Sequence, residues 1–328
     1  MDDTPPSTPD VSPRGLVRSL IKLARPKQWF KSAFVFIGPV YSLADGKGEW
    51  RFVLWAALVT AGVLALVSSA CYVINDMVDA PKDRLHPRKK RRPIASGAVT
   101  SGQAKVFAAA LVAIALSAVF LLDAGPSRWW VLGLAVAYVV NVNAYSYFLK
   151  RKAIADVLSL SLGFVIRVLA GCAAAGVTPS TWLLNSTLFL AMFLAFGKRL
   201  GERRTVEDAG AIRDVQQTYT DDLLRMSVVV TGVATLITYA GYIQSRDAKI
   251  HEAVVATIGD APSFIRNLNL LWLTMLPATY GLLRCIVLLE RGRYDDPTEL
   301  ATKDMPTQVG GIAFALITLF VLFHKQIS

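Results

Sequence analysis

Residues 52–83 read FVLWAALVTAGVLALVSSACYVINDMVDAPKD, an apolar run that leads directly into a group of acidic residues. The uncharged part, 52–74, has the length of roughly 20 residues that a helix needs to cross a bilayer. Asp76, Asp79 and Asp83 follow at spacings of three and four, so on a helix they share one face with Asn75 beside them. The stretch therefore predicts a membrane helix with an acidic end, and Pro81 is expected to break or kink it.

The rest of the chain has the composition of a polytopic membrane protein. Its 328 residues are 54% hydrophobic and 18% charged, against about 25% charged in an ordinary soluble domain. Apolar segments of helical length recur along the chain and predict nine membrane helices. They lie at 31–44, 52–74, 104–123, 128–148, 153–176, 182–197, 224–243, 268–290 and 308–323. The predicted fold is an all-α polytopic membrane protein with nine transmembrane helices.

Two parts of different character are expected along the chain. Residues 1–13 hold four prolines and two acidic residues next to the initial methionine, which is typical of a disordered tail. Residues 14–328 are predicted to form a single transmembrane helical catalytic domain. The tail is assigned to the cytoplasm from the distribution of charge.

Lysine and arginine collect before the first predicted helix and after the second, fourth and sixth, while the loops after the third and fifth are nearly uncharged. Because cytoplasmic loops carry the excess of Lys and Arg, we expect a multi-pass plasma-membrane protein with its N-terminus inside and its C-terminus outside. The acidic group then faces the cytoplasm. The net charge is +11, and the basic residues are distributed according to the side of the membrane. This distribution favours anionic lipids and phosphorylated substrates over nucleic acid as partners. Sequence leaves open whether copies of the chain associate.

The acidic group indicates a metal site for a phosphorylated substrate. Carboxylates gathered on one face repel each other unless a cation lies between them, and oxygen-only ligands suit Mg²⁺, which commonly bridges to substrate phosphates. Cations from Lys82 to Arg92 follow at once, as expected for a pocket that binds a diphosphate. The alternative is a solvated acidic turn.

Further polar residues lie near other helix ends. Tyr145, Lys150 and Arg151 close the fourth predicted helix. Asp156 and Arg167 are eleven residues apart on the fifth, close to three turns, so they share one face about 16 Å apart along the axis. An arginine at that depth normally faces a wet cavity or a partner, and a structural pair inside the bundle is the alternative. Lys198, Arg199 and Glu202 close the sixth helix, where snorkelling side chains are the alternative.

The run Asn75-Asp76-x-x-Asp79-x-x-x-Asp83, followed by residues 92–97 (RPIASG), resembles the signature of the UbiA prenyltransferase superfamily. The resemblance covers roughly residues 20–325 and implies a nine-helix intramembrane bundle. It also implies that Asn75, Asp79 and Asp83 bind Mg²⁺ with the diphosphate of a substrate. The same motif makes Asp79, Asp83, Asn75 and Asp76 the catalytic candidates.

Three further motifs resemble the branch of this superfamily that transfers phosphoribose to decaprenyl phosphate for cell-wall arabinan. They are residues 25–31 (RPKQWFK), the Tyr145–Lys150 stretch, and Asp156 through Arg167. The resemblance implies 5-phosphoribosyl 1-diphosphate (PRPP) as donor and decaprenyl phosphate as acceptor, with inversion at C1. It gives a set of substrate-binding candidates: Lys22, Arg25, Lys31, Lys82, Arg92, Tyr145, Lys150, Arg151, Asp156, Arg167, Lys198, Arg199 and Glu202.

One departure separates this chain from relatives that use a prenyl diphosphate. Those relatives carry a second DxxxD element after the sixth helix, where this chain has KRLGE at 198–202. Cations there fit an additional phosphate, so the departure disfavours transfer of a prenyl group to an aromatic acceptor, which stays the alternative function. A transporter is the alternative from another class. It is disfavoured because no internal repeat is seen and the acids lie at a helix end.

Overall fold

The structure is a computed structural model and describes residues 13–44, 48–85, 89–205, 219–246, 269–292 and 303–323. Within these ranges every regular element is helical, which confirms the all-α class. The α-helices are α1 (Pro13–Ala24), α2 (Ile37–Ala44), α3 (Trp50–Leu85), α4 (Ser101–Val119), α5 (Pro126–Tyr147), α6 (Ala155–Ala174), α7 (Thr181–Thr205), α8 (Asp221–Ser245), α9 (Met275–Glu290) and α10 (Met305–Phe323). Short 3-10 helices cover Pro26–Phe36, Lys89–Arg91, Leu149–Arg151 and Leu270–Thr274. Most of the predicted tail, residues 1–12, lies outside the described residues.

Seven of the described helices are long and apolar enough to cross a membrane. They are α3, α4, α6, α7, α8, the continuous helical segment Leu270–Glu290, and α10. Two of the nine predicted segments are not among them. Residues 31–44 divide between a 3-10 helix and the short α2, and α5 contains Trp, Tyr and Asn residues that lower its hydropathy. The count of nine transmembrane helices therefore stays a prediction.

Helix α3 runs for 36 residues and carries the acidic group on its last turns. It continues through Pro81 to Leu85, so of the break or kink predicted at this proline the break does not occur, and the kink stays a prediction. A proline in a helix removes the bond from its own nitrogen to the carbonyl four residues earlier, here that of Met77, and its ring presses against that carbonyl. Because Pro81 lies close to the helix end, the loss is confined to one turn. Asn75 and the three aspartates thus lie on one unbroken helix.

The chain forms two compact units, and α6 contributes its first half to one and its second half to the other. The first unit holds residues 1–39, 48–146 and 166–177. Its core includes Leu64, Val67 and Tyr138. Helix α3 packs against α4, α1 and the 3-10 helix Pro26–Phe36. Gly171 is required where α6 meets this 3-10 segment, because a Cβ there would overlap the carbonyl oxygen of Val35.

The second unit holds residues 40–47, 147–165 and 178–328. Helices α7 and α8 pack along each other, and α9 packs against α10 and α7. Its largest core cluster is built from Phe193, Tyr219, Leu224 and Leu289 with their neighbours. Helix α8 begins at a Thr220 cap, whose side chain accepts a bond from the Leu223 N–H. The expectation that residues 14–328 act as one catalytic domain stays a prediction.

Candidate active site

The acidic end of α3 is an ion-pair network rather than a solvated turn. Asp76 and Asp83 are buried, and one nitrogen of Arg92, Nη1, lies 3.2 Å from Oδ1 of Asp76 and 2.7 Å from Oδ2 of Asp83. The two carboxylate oxygens are therefore no more than 5.9 Å apart, the sum of those distances. A cationic group already bridges the two carboxylates, which is how several acids are accommodated on one helix face.

Arg92 is held in place by the motif that follows it. Pro93 and Ile94 are buried, and Ile94 belongs to the core beside α1 and α3. The Val99 N–H donates to the Pro93 carbonyl at 3.0 Å, and Gly97 supplies a positive φ of 80° that closes the turn. The RPIASG stretch thus anchors its backbone in the core and directs its first side chain at the acids.

Arg25, which precedes α3 in the chain, contacts the same acidic group. Its Nη2 lies 2.6 Å from Oδ1 of Asp76, and its guanidinium stacks 4.8 Å above the ring of Tyr72. Its backbone is left-handed, with φ 51°, directly before Pro26. Such conformations are uncommon outside glycine and concentrate at functional sites. Trp29 and the Ala24 carbonyl both bond to the hydroxyl of Ser69, which fixes this segment on α3.

The remaining candidates of the first unit are less buried than Asp76 and Asp83. Asn75 and Asp79 are half-buried on α3, and Lys82 is exposed one turn further on. Lys22 on α1 is exposed, and its Nζ donates to the Arg91 carbonyl at 3.4 Å. Lys31, in the middle of the 3-10 helix Pro26–Phe36, and Tyr145, near the end of α5, are half-buried. In the other unit, Lys150 is half-buried and Arg151 is exposed in the 3-10 helix Leu149–Arg151.

The donor set at the end of α3 fits Mg²⁺. Asn75, Asp79 and Asp83 offer only oxygen ligands, the type that this ion prefers. Among the residues that the structure describes, no group of three His, Cys, Asp or Glu side chains forms a ready metal cage. Mg²⁺ keeps several waters and is commonly held by one or two carboxylates together with substrate phosphates.

A second polar cluster lies in the other unit and is completely enclosed. Asp156, on the first turn of α6, is 0% exposed. Its Oδ2 accepts from Nε of Arg199 at 2.8 Å and its Oδ1 accepts from the hydroxyl of Tyr219 at 2.7 Å. Burial raises the pKa of Tyr219 to about 12, so the hydroxyl stays a donor across physiological pH. Asp156 and Arg199, both expected from sequence to bind substrate, are in this structure bonded to each other.

Arg167 does not meet Asp156, although both lie on α6. Its Nη2 donates to the Tyr138 hydroxyl at 2.8 Å and to the Ser68 hydroxyl at 3.1 Å. Its guanidinium also stacks over the Tyr138 ring at 4.5 Å. These contacts join α3, α5 and α6 within the first unit. The eleven-residue spacing placed Asp156 and Arg167 on one face of the helix, and each of them has its partners on other elements.

Lys198 and Glu202 accompany Arg199 at the end of α7 but face differently. Lys198 is exposed and Glu202 is half-buried, while Arg199 is buried. The three were expected as one group, and the structure separates the buried Arg199 from the accessible Lys198.

Several residues of these networks were missed in the sequence. Tyr219 lies 63 residues from Asp156, and Tyr138 and Ser68 are ordinary members of apolar helices. No spacing rule connects them to the charges they contact. The partners of Asp76 did have a signal, because Arg25 begins the RPKQWFK motif and Arg92 begins the RPIASG motif.

Comparison with known proteins gives consistent relationships. Residues 32–305 match the model of the UbiA prenyltransferase family. The chain is 34% identical over 304 residues to the decaprenyl-phosphate phosphoribosyltransferase of Mycolicibacterium smegmatis, which covers 90% of each chain. It is 31% identical over 312 residues to the enzyme of that name from Corynebacterium glutamicum, covering 95% of this chain and 89% of the relative.

Solved structures share the fold. A UbiA homologue from Archaeoglobus fulgidus bound to GPP and Mg²⁺ superposes with a TM-score of 0.58 at 17% identity, covering 94% of this chain and 99% of that one. The same homologue has also been solved with Cd²⁺. The family match spans the acidic end of α3, Arg92 and the buried cluster of α6 and α7, whereas Arg25 lies before its first residue. On the sequence match and the shared fold together, this chain belongs to the UbiA prenyltransferase family and is a membrane transferase.

Proposed function

We propose that the protein transfers 5-phosphoribose from PRPP to decaprenyl phosphate, releases diphosphate, and thereby supplies a precursor of cell-wall arabinan. The observation that carries the proposal is the acidic group at the end of α3, in which Arg25 and Arg92 are already held against Asp76 and Asp83. Anionic oxygens and guanidinium groups side by side are what a metal-bound diphosphate requires. The relatives at 30–34% identity over about 90% of the chain support the choice of substrates.

We assign Asn75, Asp79 and Asp83 to Mg²⁺, which when bound neutralises the charge that develops on the leaving diphosphate. Asp76 has a different role, because one oxygen of its carboxylate contacts two arginines, Arg25 and Arg92, whereas Asp83 contacts one, Arg92. It orients the two guanidinium groups, whose remaining N–H donors bind phosphate oxygens in the bidentate manner that arginine favours. Lys22 and Lys82 add positive charge near the same helix end, and Lys31 is proposed as a further substrate contact.

The chemistry needs no general base. A lipid phosphate is already anionic at neutral pH, so an oxygen lone pair of decaprenyl phosphate attacks C1 of the ribose directly. The bond between C1 and the diphosphate oxygen breaks, and diphosphate leaves with the electron pair. Attack from the face opposite the leaving group converts the α-configured donor into a β-linked product. The protein contributes positioning and charge stabilisation.

The accessible cations outside the α3 network are assigned to the other phosphates. PRPP has a 5-phosphate in addition to its diphosphate, and the acceptor is itself a lipid phosphate. Lys150, Arg151 and Lys198 carry exposed or half-buried charges and are proposed to bind these groups. The KRLGE stretch at 198–202 supports phosphoribosyl transfer over prenyl transfer, since it offers cations where a second metal site would need acids.

The proposal is tested with purified protein, radiolabelled PRPP, decaprenyl phosphate and Mg²⁺, by scoring label in the organic phase. We expect label transfer that requires the metal and that falls steeply in Asp79→Asn at a Mg²⁺ concentration that just saturates the wild-type protein. Asp222→Asn, which alters an exposed carboxylate on α8, is the matched control and should retain activity. No transfer from PRPP, together with transfer of a prenyl group from its diphosphate to an aromatic acid, would overturn the substrate assignment.

A further inference from the structure

Tyr219 lies where three parts of the second unit meet. It is 1% exposed and comes just before α8. Its ring packs edge-on against Phe196 of α7 at 6.2 Å between centroids. Its hydroxyl lies between the carboxylate of Asp156 and the backbone of Ile154. Because the residue is enclosed, it has no access to substrate and can act only through what it contacts.

Both hydrogen bonds of the Tyr219 hydroxyl have a defined direction. The Ile154 N–H can only donate, and it reaches the hydroxyl oxygen at 2.6 Å. The single hydroxyl proton is then donated to Oδ1 of Asp156 at 2.7 Å. Arg199 holds the other carboxylate oxygen. Both carboxylate oxygens of Asp156 are therefore held, and Tyr219 connects this carboxylate to the backbone of Ile154.

The backbone of Ile154 has an unfavourable conformation, which a hydrogen bond can stabilise. Its φ is 67°, in the left-handed region, which β-branched residues adopt only as outliers. The side chain of Ile154 is 50% exposed, so its own packing does not account for the conformation. Its carbonyl accepts a bond from the Leu158 N–H of α6 at 2.9 Å, and the bond from its own N–H to Tyr219 is the contact that ties this residue to the buried cluster.

The left-handed residue connects α6 to a basic turn. The 3-10 helix Leu149–Arg151 precedes it, closed by a bond from the Lys152 N–H to the Leu149 carbonyl at 2.9 Å. Lys150 is half-buried, and Arg151 and Lys152 are exposed. A change of φ at Ile154 would re-orient this turn relative to the start of α6. The hold on Ile154 thus sets the direction in which the basic side chains point.

We propose that Tyr219 is a positioning residue that holds the left-handed turn at Ile154 and so presents Lys150 and Arg151 to a phosphate of the substrate. The proposal rests on the proposed function for the identity of the phosphate. It assigns no chemistry to Tyr219, Asp156 or Arg199. Their role is to fix a basic turn that would otherwise relax to an unstrained conformation.

The test compares Tyr219→Phe with Tyr239→Phe. Both residues lie in the same unit; Tyr219→Phe removes the hydroxyl of a buried tyrosine and Tyr239→Phe that of a half-buried one. The Tyr239 hydroxyl bonds to Thr274 and has no contact with Ile154. The first measurement is trypsin cleavage after residues 150–152 in detergent micelles, which reports opening of the turn independently of any substrate. We expect cleavage about fivefold faster or more in Tyr219→Phe, the effect of losing about one hydrogen bond, and no change in Tyr239→Phe.

The second measurement is the KM for PRPP against kcat. We expect Tyr219→Phe to raise the KM about fivefold to tenfold with kcat within about twofold, since binding of a phosphate is affected and the reacting atoms are not. Adding Ile154→Asn should restore both the KM and the resistance to trypsin, because asparagine adopts the left-handed region far more readily than isoleucine. A purely packing role for Tyr219 predicts no such rescue.

The outcomes separate this proposal from the proposed function. Equal trypsin cleavage in the two phenylalanine variants, or faster cleavage with an unchanged KM, would overturn the positioning role. Absence of rescue by Ile154→Asn would also overturn it. If the wild-type protein does not use PRPP, the proposed function fails, and the trypsin comparison with its rescue alone decides whether Tyr219 holds the turn.

Discussion

Asp76→Asn separates the two roles that the acidic end of α3 combines. Asp76 contacts Arg25 at 2.6 Å and Arg92 at 3.2 Å, so we assign it to orienting cations, whereas Asp79 is assigned to the metal. The substitution keeps the shape and removes the charge. A hydrogen bond to a charged group is worth about 1.5–3 kcal/mol. The two guanidinium side chains are 32% and 31% exposed, so water compensates part of the loss.

We therefore take the equivalent of one such bond, about 2 kcal/mol, which corresponds to about a thirtyfold rise in the KM for PRPP. The concentration of Mg²⁺ that gives half-maximal rate should stay within about twofold. Asp79→Asn, measured in the same label-transfer assay, should raise the metal requirement about tenfold or more. If Asp76→Asn raises the metal requirement as much as Asp79→Asn does, Asp76 is a metal ligand and the division of roles is wrong.

Two stability predictions follow from the packing and the charges. Gly171→Ala places a methyl group against the carbonyl of Val35 and should destabilise by about 1–3 kcal/mol, while Gly62→Ala, with open space at its Cβ, should stabilise by about 0.5–1 kcal/mol. Melting temperatures in detergent measure both, and equal effects would contradict the close approach. Hydrogen bonds from Arg284 and Thr307 hold the pKa of Asp304 well below its usual range. Its stabilisation is then present above about pH 4, the ordinary value, and is lost as pH falls. The difference in melting temperature between wild type and Asp304→Asn should shrink on acidification, and a constant difference from pH 7 to pH 3 would refute the assignment.

Local spacing in the sequence predicted the parts of the site that lie on one helix. The positions 75, 76, 79 and 83 share the end of α3 because helical periodicity is a property of the chain itself. Even there, of the break or kink expected at Pro81, the break does not occur. A proline this close to a helix end removes little of the hydrogen bonding, so the general rule overestimated its effect.

Partners across helices could not be predicted in the same way. Asp156 and Arg167 are three turns apart on α6, yet one bonds to Arg199 and Tyr219 and the other to Tyr138 and Ser68. Which helix lies beside which face is decided by packing of the whole unit, and a single sequence carries no record of it. The same reason explains why Tyr219 was missed.

The predicted membrane segments illustrate a third kind of limit. Seven described helices have the length and composition of a membrane span. Six of the predicted segments each correspond to a single α-helix among these seven. The segment at 31–44 was predicted as one helix, but its residues change from a 3-10 helix to an α-helix at Ile37. Hydropathy reports how apolar a stretch is and not which helical hydrogen-bond pattern it adopts, so this change has no signature in composition.

The central claim is that the transferred group is phosphoribose and that the acceptor is a lipid phosphate. The most direct test offers the purified protein PRPP and a polyprenyl diphosphate together, with decaprenyl phosphate, an aromatic acid and Mg²⁺, and identifies the lipid products by mass spectrometry and NMR. The account predicts decaprenyl phosphate that has gained one phosphoribosyl group, β-linked at C1. A prenylated aromatic acid with unchanged decaprenyl phosphate would contradict it.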